Sequence, residues 1–507
     1  MWGPKKSKKS SNKSPSASSS SLADAERREV AIGTAVAENA QADPDRPAIT
    51  CGDVTITRGE LDRRTNRLAR AYAQLGVGQD DLVTIALPNS VEFYEASIAL
   101  WKLGATPQPV SARLPRAELE AIVELANSPV VIGVDQSFEG RKSIPVGVEP
   151  DAALPDDPVP ERIAASWKAP TSGGSTGRPK LILSGTRGVT QRGVGGAFSV
   201  PYDSVVLIPG PLYHNAPFQF GAVGIFRGSH VIVMPRFDAA SMVELVERHS
   251  VEWTFVVPTM MSRVMRLPEA ERLACDVSSL TTVWHGAAPC PPWVKEAWID
   301  WLGPEAIWEL YAGTEGQGLC IIRGDDWLAH RGSVGRPVYG RMKIVGPDGA
   351  ELKTGETGEI FMLPPDRENP TYRYIGAEPK VVDGWESIGD MGWMDDEGYV
   401  YIADRRTDLI LSGGANIYPA EVEAALDEHP LVVSSAVIGL PDDDLGHVVH
   451  AIVQTRGDLT REDLNVFLTE RLVRYKVPRS YEFVDEPLRD DAGKVRRTQL
   501  REARVTR

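Results

Sequence analysis

Ten residues at positions 171–180, Thr-Ser-Gly-Gly-Ser-Thr-Gly-Arg-Pro-Lys, bring three glycines, four hydroxyls and a closing lysine into one short run. Gly173, Gly174 and Gly177 allow consecutive backbone N–H groups to converge on an oxyanion. Thr171, Ser172, Ser175 and Thr176 add neutral donors, and Lys180 adds a mobile positive charge. The chemistry indicated is a grip on phosphate. A Ser/Gly-rich surface loop has a similar composition, but the fixed order ending in Pro179-Lys180 favours the grip. The run is not a Walker A loop, because Arg178-Pro179 stand where that motif requires glycine before its Lys-Ser/Thr pair. No GxGxxG follows a strand in the first hundred residues, so a dinucleotide fold has no support.

Further runs follow in order: Gly286-Ala287-Ala288-Pro289, Tyr311-Ala312-Gly313-Thr314-Glu315, Gly389-Asp390-Met391-Gly392, Asp404-Arg405-Arg406-Thr407-Asp408, Gly413-Gly414-x-Asn416-Ile417-x-Pro419-x-Glu421 and Gly493-Lys494. Together with the phosphate run, over about residues 30–507, this series resembles the acyl-adenylate-forming superfamily of acyl-CoA synthetases, peptide-synthetase adenylation domains and beetle luciferases. The resemblance implies activation of a carboxylic acid by ATP as acyl-AMP with release of pyrophosphate, then transfer of the acyl group to coenzyme A. It implies ATP, Mg²⁺ and coenzyme A as cofactors. Its ATP/AMP-binding residues fall on 171–177, Lys180, Gly286, Ala287, Ala288, Tyr311, Thr314, Asp390 and Arg405. Tyr311 would stack on adenine, Asp390 would accept the ribose hydroxyls, and Glu315 would meet the metal as a hard oxygen ligand. Lys494, His214, Thr314 and Glu315 fall at catalytic positions, with Lys494 the cation reaching the α-phosphate and the carboxylate together. His214, in Pro211-Leu212-Tyr213-His214-Asn215, would orient the carbonyl rather than act as a base.

The resemblance also puts an acyl pocket at Phe218, Phe220, Val257, Met260 and Met261, a coenzyme A tunnel at Gly413 and Gly414, and a hinge at Thr407. The family usually has Asp or Lys at the hinge position, and glycine is common in place of Leu181 and Ala312. Aromatics and methionines near the pocket suggest a medium- or long-chain or bulky polycyclic acid. A stand-alone ligase loading an acyl carrier protein is the alternative. An amino-acid adenylation domain is disfavoured by the lack of an acidic residue for an α-ammonium in Val257–Val264, and a non-catalytic sensor by the presence of Lys494 and Glu315.

These residues need elements to hold them. Leu61, Leu68, Tyr72 and Leu75 lie on one helical face ended by Gly76; 82–87 reads as a strand and 91–103 as a helix ended by Gly104. The α/β alternation resumes with strands at 205–208 and 231–234 and a helix at 239–249, and Ile163–Trp167 reads as a strand leading into the phosphate run. The proline- and acid-rich segment 151–161 reads as a solvated connection. Residues 333–403 carry turn signals at Pro347-Asp348-Gly349 and Asp396-Glu397-Gly398 between β-rich runs. In the last hundred residues Pro419 opens a helix, strands fall near 432–439 and 447–454, and Thr460-x-x-Asp463 caps another helix. The expected fold is α/β: a large N-terminal domain of two α/β subdomains plus a small β-barrel-like subdomain, then a small mobile α+β C-terminal domain. The expected division is a disordered tail at 1–27, an adenylation domain at 28–404 and a mobile domain at 405–507.

Composition agrees. The 507 residues, 42% hydrophobic and 25% charged, suit about three globular units, and a net charge of −15 disfavours general nucleic-acid binding. No apolar run approaches the roughly 18 residues of a membrane span. Four scattered cysteines without a CxxC pair suit a reducing cytoplasm. The expected partners are a small-molecule carboxylic acid and coenzyme A, with a homodimer and a carrier protein left open. Residues 471–507 hold eleven Lys/Arg against six Asp/Glu, a local excess that could meet coenzyme A phosphates or simply form a solvated face.

Overall fold

Apolar β-branched runs too short for helices make the central sheet. Strands Pro47–Cys51, Val205–Ile208, His230–Val233, Trp253–Val256, Thr282–Gly286 and Ile307–Ala312 lie parallel, buried on both faces as a parallel sheet requires. The structure is a computed structural model and describes residues 28–173, 179–193, 198–490 and 493–505. The expected tail at 1–27 lies outside the described residues, as do Gly174, Ser175, Thr176 and Gly177 of the phosphate run.

The parallel strands continue without a break into an antiparallel wing: Leu319–Arg323, Ser333–Tyr339, Val400–Arg405, Asp390–Met394 and Gly358–Leu363 follow in a single 15-stranded sheet. The wing carries the expected turns, and its strand path is open: the barrel-like unit is the far end of this sheet, and no closed barrel forms among the described residues. A second parallel sheet of four strands (Thr106–Pro109, Leu82–Ile85, Val130–Ile132, Lys142–Ile144) makes the other α/β layer. The helices Arg58–Gln74 and Val91–Lys102 pack between the two, each opened by a hydroxyl cap, Thr57 and Ser90. Leu61, Leu68 and Tyr72 are buried as their spacing predicts. Leu75 is the helix C-cap and stays exposed, because the helix has already ended.

One expected strand does not form. Residues 163–167 have no ladder partner; their backbone groups go singly to the loop after Pro179–Ser184, Trp167 N–H donating to Thr186 O and Ala164 O accepting from Gly188 N–H, while just beyond them Ala169 N–H goes to Pro107 O of the second sheet. The segment is a strap, and the true strand is the shorter Thr171–Gly173. The connection at 151–161 is likewise irregular, pinned by Arg67 to Asp156 and Arg70 to Asp157.

The small C-terminal domain has a five-stranded sheet whose long hairpin, Val432–Asp442 with Gly446–Thr455, carries the helices Pro419–Asp427 and Arg461–Thr469. Thr460 and Asp463 form the expected capping box. Apolar residues from Ile410 to Leu468 form a core of their own, separate from the main one.

Candidate active site

The phosphate run is held by strands at both ends. Thr171–Gly173 pairs antiparallel with Pro179–Ser184, Ser172 opposite Lys180. The Thr171 hydroxyl accepts from Gln108 Nε2 at 2.6 Å, and Gln108 Oε1 accepts in turn from the buried Thr84 hydroxyl at 2.8 Å. The second sheet thus fixes the root of the run. The other edge of Pro179–Ser184 pairs with Tyr372–Ile375. From that strand the Tyr374 hydroxyl donates to Glu315 Oε1 at 2.5 Å, and Lys180 Nζ lies 3.5 Å from the same oxygen and 3.8 Å from the centre of the Tyr374 ring.

Glu315 is 7% exposed, on the turn that follows Tyr311 and Thr314. Among the described residues no three His, Cys, Asp or Glu side chains converge into a metal cage. A single carboxylate fits a magnesium ion carried mainly by phosphate oxygens. A Cβ added at Gly313 would lie 2.9 Å from Glu315 Oε2, so this oxygen borders space that a side chain would fill.

Two adjacent strand ends make a floor beside it. Gly286 sits opposite Leu310, and a Cβ there would lie 2.5 Å from the Leu310 carbonyl oxygen, so the position admits only glycine; Ala287 follows with φ +70°. Tyr311, on the neighbouring strand, donates its hydroxyl to Asp390 Oδ2 at 2.8 Å, and Arg405 Nε lies 3.4 Å from Asp390 Oδ1. Asp390 and Arg405 face each other as register partners, which the sequence spacing alone does not reveal. Burial raises the Asp390 pKa, opposed by the Arg405 charge and the Tyr311 hydrogen bond.

The C-terminal turn reaches this floor. Asp490 N–H bonds to Lys494 O at 3.0 Å and Lys494 N–H to Asp490 Oδ1 at 2.9 Å, closing a tight turn in which Gly493 has φ +75°. A Cβ on Gly493 would meet the Thr259 hydroxyl at 2.6 Å, so the turn is seated directly on the helix Pro258–Met265 of the large domain. Lys494 keeps solvent access, yet the protein around its ammonium end, and then the Arg405 charge, lower its pKa; Asp490 and Glu315 pull it back up. Its electrostatic neighbours therefore come from three separate parts of the chain.

His214 is the N-cap of the helix Asn215–Phe226. Burial, then the positive charges of Lys494 and Arg496, push its pKa down to about 3, so the imidazole is neutral. Its Nε2 is buried with no partner. A neutral ring with a free nitrogen beside a lysine can orient an acceptor or donor; it carries no charge at neutral pH.

The remaining expected residues divide. Val257, Met260 and Met261 are buried at the start of the helix on which Lys494's turn rests, and Met260 approaches the Gly210 backbone just before the His214 segment. Phe220 packs against Phe198, Trp253 and Phe255. Phe218 points the opposite way, into a stack with Tyr94, Trp101 and Trp167, which makes it core packing between the two sheets rather than pocket wall. Gly413 and Gly414 form an exposed hairpin tip whose nearest packing is Leu445 of the same domain, so this arrangement brings Lys494 to the floor and leaves the glycines on the outside. Thr407 lies on the exposed turn after Arg405, beside Asp408, which Arg497 holds at 2.8 Å.

Sequence reasoning missed Tyr374, Gln108, Thr259 and Arg266. Arg266 donates to the backbone carbonyls of Asp427 at 3.0 Å and Val433 at 2.9 Å, docking the small domain onto the large one. Only the Tyr372-x-Tyr374 alternation was a visible signal.

Comparison with known proteins gives the same grouping. The AMP-binding enzyme family matches residues 36–365, and the AMP-binding enzyme C-terminal domain matches 421–494. A 2-succinylbenzoate–CoA ligase of Bacillus cereus is 29% identical over 478 residues, covering 90% of this chain and 96% of the relative. The o-succinylbenzoate CoA synthetase of Bacillus subtilis, solved with its acyl-adenylate intermediate, superposes with a TM-score of 0.78 at 27% identity, covering 94% of this chain and 99% of that one. The same Bacillus subtilis enzyme solved with ATP and a magnesium ion gives 0.78 at 27%, covering 93% and 100%. With the family matched across most of its length and the matched segments meeting around Tyr311, Glu315 and Lys494, the chain belongs to the AMP-binding enzyme family.

Proposed function

We propose that the chain is an AMP-forming acyl-CoA synthetase acting on a bulky aromatic carboxylic acid. The observation that carries the reading is the meeting of Lys494, from the C-terminal turn, with Glu315, Arg405 and His214 of distant segments. Two anions must approach each other in the first step, and a cation between them is what the reaction lacks in water. A carboxylate oxygen of the acid bonds to the α-phosphorus of ATP, the α–β phosphoanhydride bond breaks, and pyrophosphate leaves with the electron pair. Lys494 binds the carboxylate and an α-phosphate oxygen together and offsets their repulsion. Thr171, Ser172, Lys180 and the residues between them in sequence hold the β- and γ-phosphates. Tyr311 offers its ring to adenine, with Gly286, Ala287 and Ala288 allowing the backbone close to it, and Asp390 with Arg405 takes the ribose. Neutral His214 orients the acid, and Thr314 lies beside the reacting phosphate. Glu315 is the residue that would hold magnesium, whose chemistry there is to neutralise the departing pyrophosphate.

In the second step the coenzyme A thiolate, its proton lost to solvent, attacks the adenylate carbonyl carbon, and AMP leaves with the bonding pair. The thiol does not share the floor with Lys494: the reading has the small domain turn about Thr407 and bring Gly413 and Gly414 to the opening. It divides the chain at 404–405, supported by the separate core of the small domain. The relatives' named acid, 2-succinylbenzoate, favours an aromatic acid over a long chain, with Phe220, Val257, Met260 and Met261 forming the pocket. The relatives are named for coenzyme A, and nothing among them favours the carrier protein that the sequence left open. No helix among the described residues is long and apolar enough to cross a membrane, and all four cysteines are free, as suits a cytoplasmic enzyme.

The test is pyrophosphate release across a panel of carboxylic acids, with and without coenzyme A. The expected result is release with aromatic acids and acyl-CoA as product once thiol is added. Release only with long-chain acids would overturn the acid class, and no acyl-CoA from an active acid would overturn the acceptor.

A further inference from the structure

Tyr374 is used by none of the steps above, yet it touches two residues that the mechanism needs. The strand Tyr372–Ile375 lies against Pro179–Ser184, the exit of the phosphate run, with Tyr374 opposite Ile182. Strand alternation puts Tyr372 and Tyr374 on the same face, their rings edge to face at 4.7 Å. Tyr372 donates to Glu386 at 2.7 Å, and Gln317 Nε2 reaches the same carboxylate oxygen at 3.3 Å. Tyr374 donates to Glu315 Oε1, and the face of its ring receives Lys180 Nζ. The pair thus ties the phosphate-run strand to the turn that carries Glu315.

We propose that Tyr374 is a positioning residue that keeps Glu315 and Lys180 apart and ready, so that Glu315 meets a divalent cation and Lys180 meets phosphate. The proposal rests on the nucleotide reading above. Lys180 and the Tyr374 hydroxyl compete for one oxygen, Glu315 Oε1. With the hydroxyl bound there, the ammonium at 3.5 Å is held loosely and is stabilised instead by the ring beneath it. Without the hydroxyl, Lys180 closes onto Glu315, and each neutralises the group the other substrate component needs. The hydroxyl also fixes the rotation of the carboxylate, leaving Oε2 on the side where Gly313 has no side chain.

Tyr374→Phe and Tyr374→Leu separate the two parts of this role. Phenylalanine keeps the ring under Lys180 and loses only the hydroxyl; leucine loses both. Equilibrium ATP binding is measured calorimetrically while Mg²⁺ is titrated, and again in EDTA, with thermal melts to establish that each variant is folded; Tyr372→Phe is the neighbouring control. The expected result for Tyr374→Phe is about a tenfold rise in the Mg²⁺ concentration giving half-maximal enhancement of ATP binding, with binding in EDTA unchanged. Tyr374→Leu weakens binding in both conditions, and Tyr372→Phe leaves the Mg²⁺ midpoint in place. If Tyr374→Phe keeps the wild-type midpoint while the wild type shows Mg²⁺-dependent ATP binding, the positioning role is wrong and the nucleotide reading stands. If the wild type binds no ATP, both fall.

Discussion

The two sides of the candidate site are built differently. On the large domain, Tyr311, Asp390, Glu315 and Lys180 sit at strand ends or adjacent turns and are tied by side-chain contacts, Tyr311 to Asp390 and Tyr374 to Glu315, with Arg405, at the domain boundary, meeting Asp390. On the small domain, Lys494 arrives on a turn whose hold on the large domain is steric and backbone-based, a glycine against Thr259, with Arg266 gripping two carbonyl oxygens nearby. Side chains at paired strand ends are held by the sheet register as well as by their own contacts. A glycine contact and two carbonyl hydrogen bonds hold a group in place but release it without leaving a buried charge unpaired. Under the proposed two-step reading, the large domain is the fixed cradle and Lys494 the delivered cation.

The sharpest way to break this contrast is at the cation. Lys494→Ala is expected to reduce adenylate formation by about 10²–10³-fold while a presynthesised acyl adenylate still reacts with coenzyme A. Single-turnover assays of each half-reaction measure this, and equal loss in both would mean that Lys494 belongs to the fixed side. The next largest effect belongs to the cradle. Asp390→Asn keeps an acceptor for Tyr311 but removes the charge facing Arg405, and is expected to weaken ATP binding by about tenfold, with both half-reactions affected through nucleotide affinity. A normal KM for ATP would remove Asp390 from the nucleotide site.

The fixed side was the more legible in sequence. Runs such as 171–180 and 311–315 carry their chemistry in consecutive residues, and the strands that support them show as short apolar runs. What joins these runs did not show, because pairing across a sheet has no linear signature: Asp390 faces Arg405, and Tyr374 meets Glu315, only once the register is set. The strap at 163–167 has the same cause: a short, mostly apolar run looks like a strand until its partners are known. Phe218 and Phe220 sit two residues apart on one helix and meet different sets of aromatic neighbours, which apolarity alone cannot separate. The delivered side was legible only at Gly493-Lys494; Thr259 and Arg266, which receive it, are ordinary residues by type.

Two smaller perturbations sharpen the delivered side. Gly493→Ala adds a Cβ 2.6 Å from the Thr259 hydroxyl at a φ of +75°, and is expected to lower adenylation about tenfold by lifting the turn. Adding Thr259→Ala, which removes the obstructing atoms, should restore part of that loss; no recovery would mean that backbone strain, and not the seat on Thr259, is responsible. Arg266→Ala removes two hydrogen bonds between the domains, and adenylation is expected to fall about two- to fivefold with thiol transfer unchanged or faster. Parallel slowing of both halves would show that Arg266 stabilises the fold rather than one arrangement of it.

The smallest effect concerns pH, and its sign follows from which groups face each other across the two sides. His214 has a pKa of about 3, depressed by burial and by Lys494 and Arg496, so it stays neutral from pH 5 upward and adds no inflection there. Lys494 has its pKa lowered, first by burial and then by Arg405, so the free enzyme loses its working positive charge at a lower pH than an ordinary lysine would. The kcat/KM profile for adenylation, which reports the free enzyme, is therefore expected to be flat through the histidine range and to fall on the alkaline side earlier than lysine chemistry alone predicts. Arg405→Gln removes one of the two causes, and the alkaline limb should move to higher pH. His214→Asn should cost only a few-fold and leave the shape of the profile unchanged. An acid limb near pH 6.5 that disappears in His214→Asn would instead mean a titrating histidine, and the fixed side would then contribute a proton as well as a scaffold.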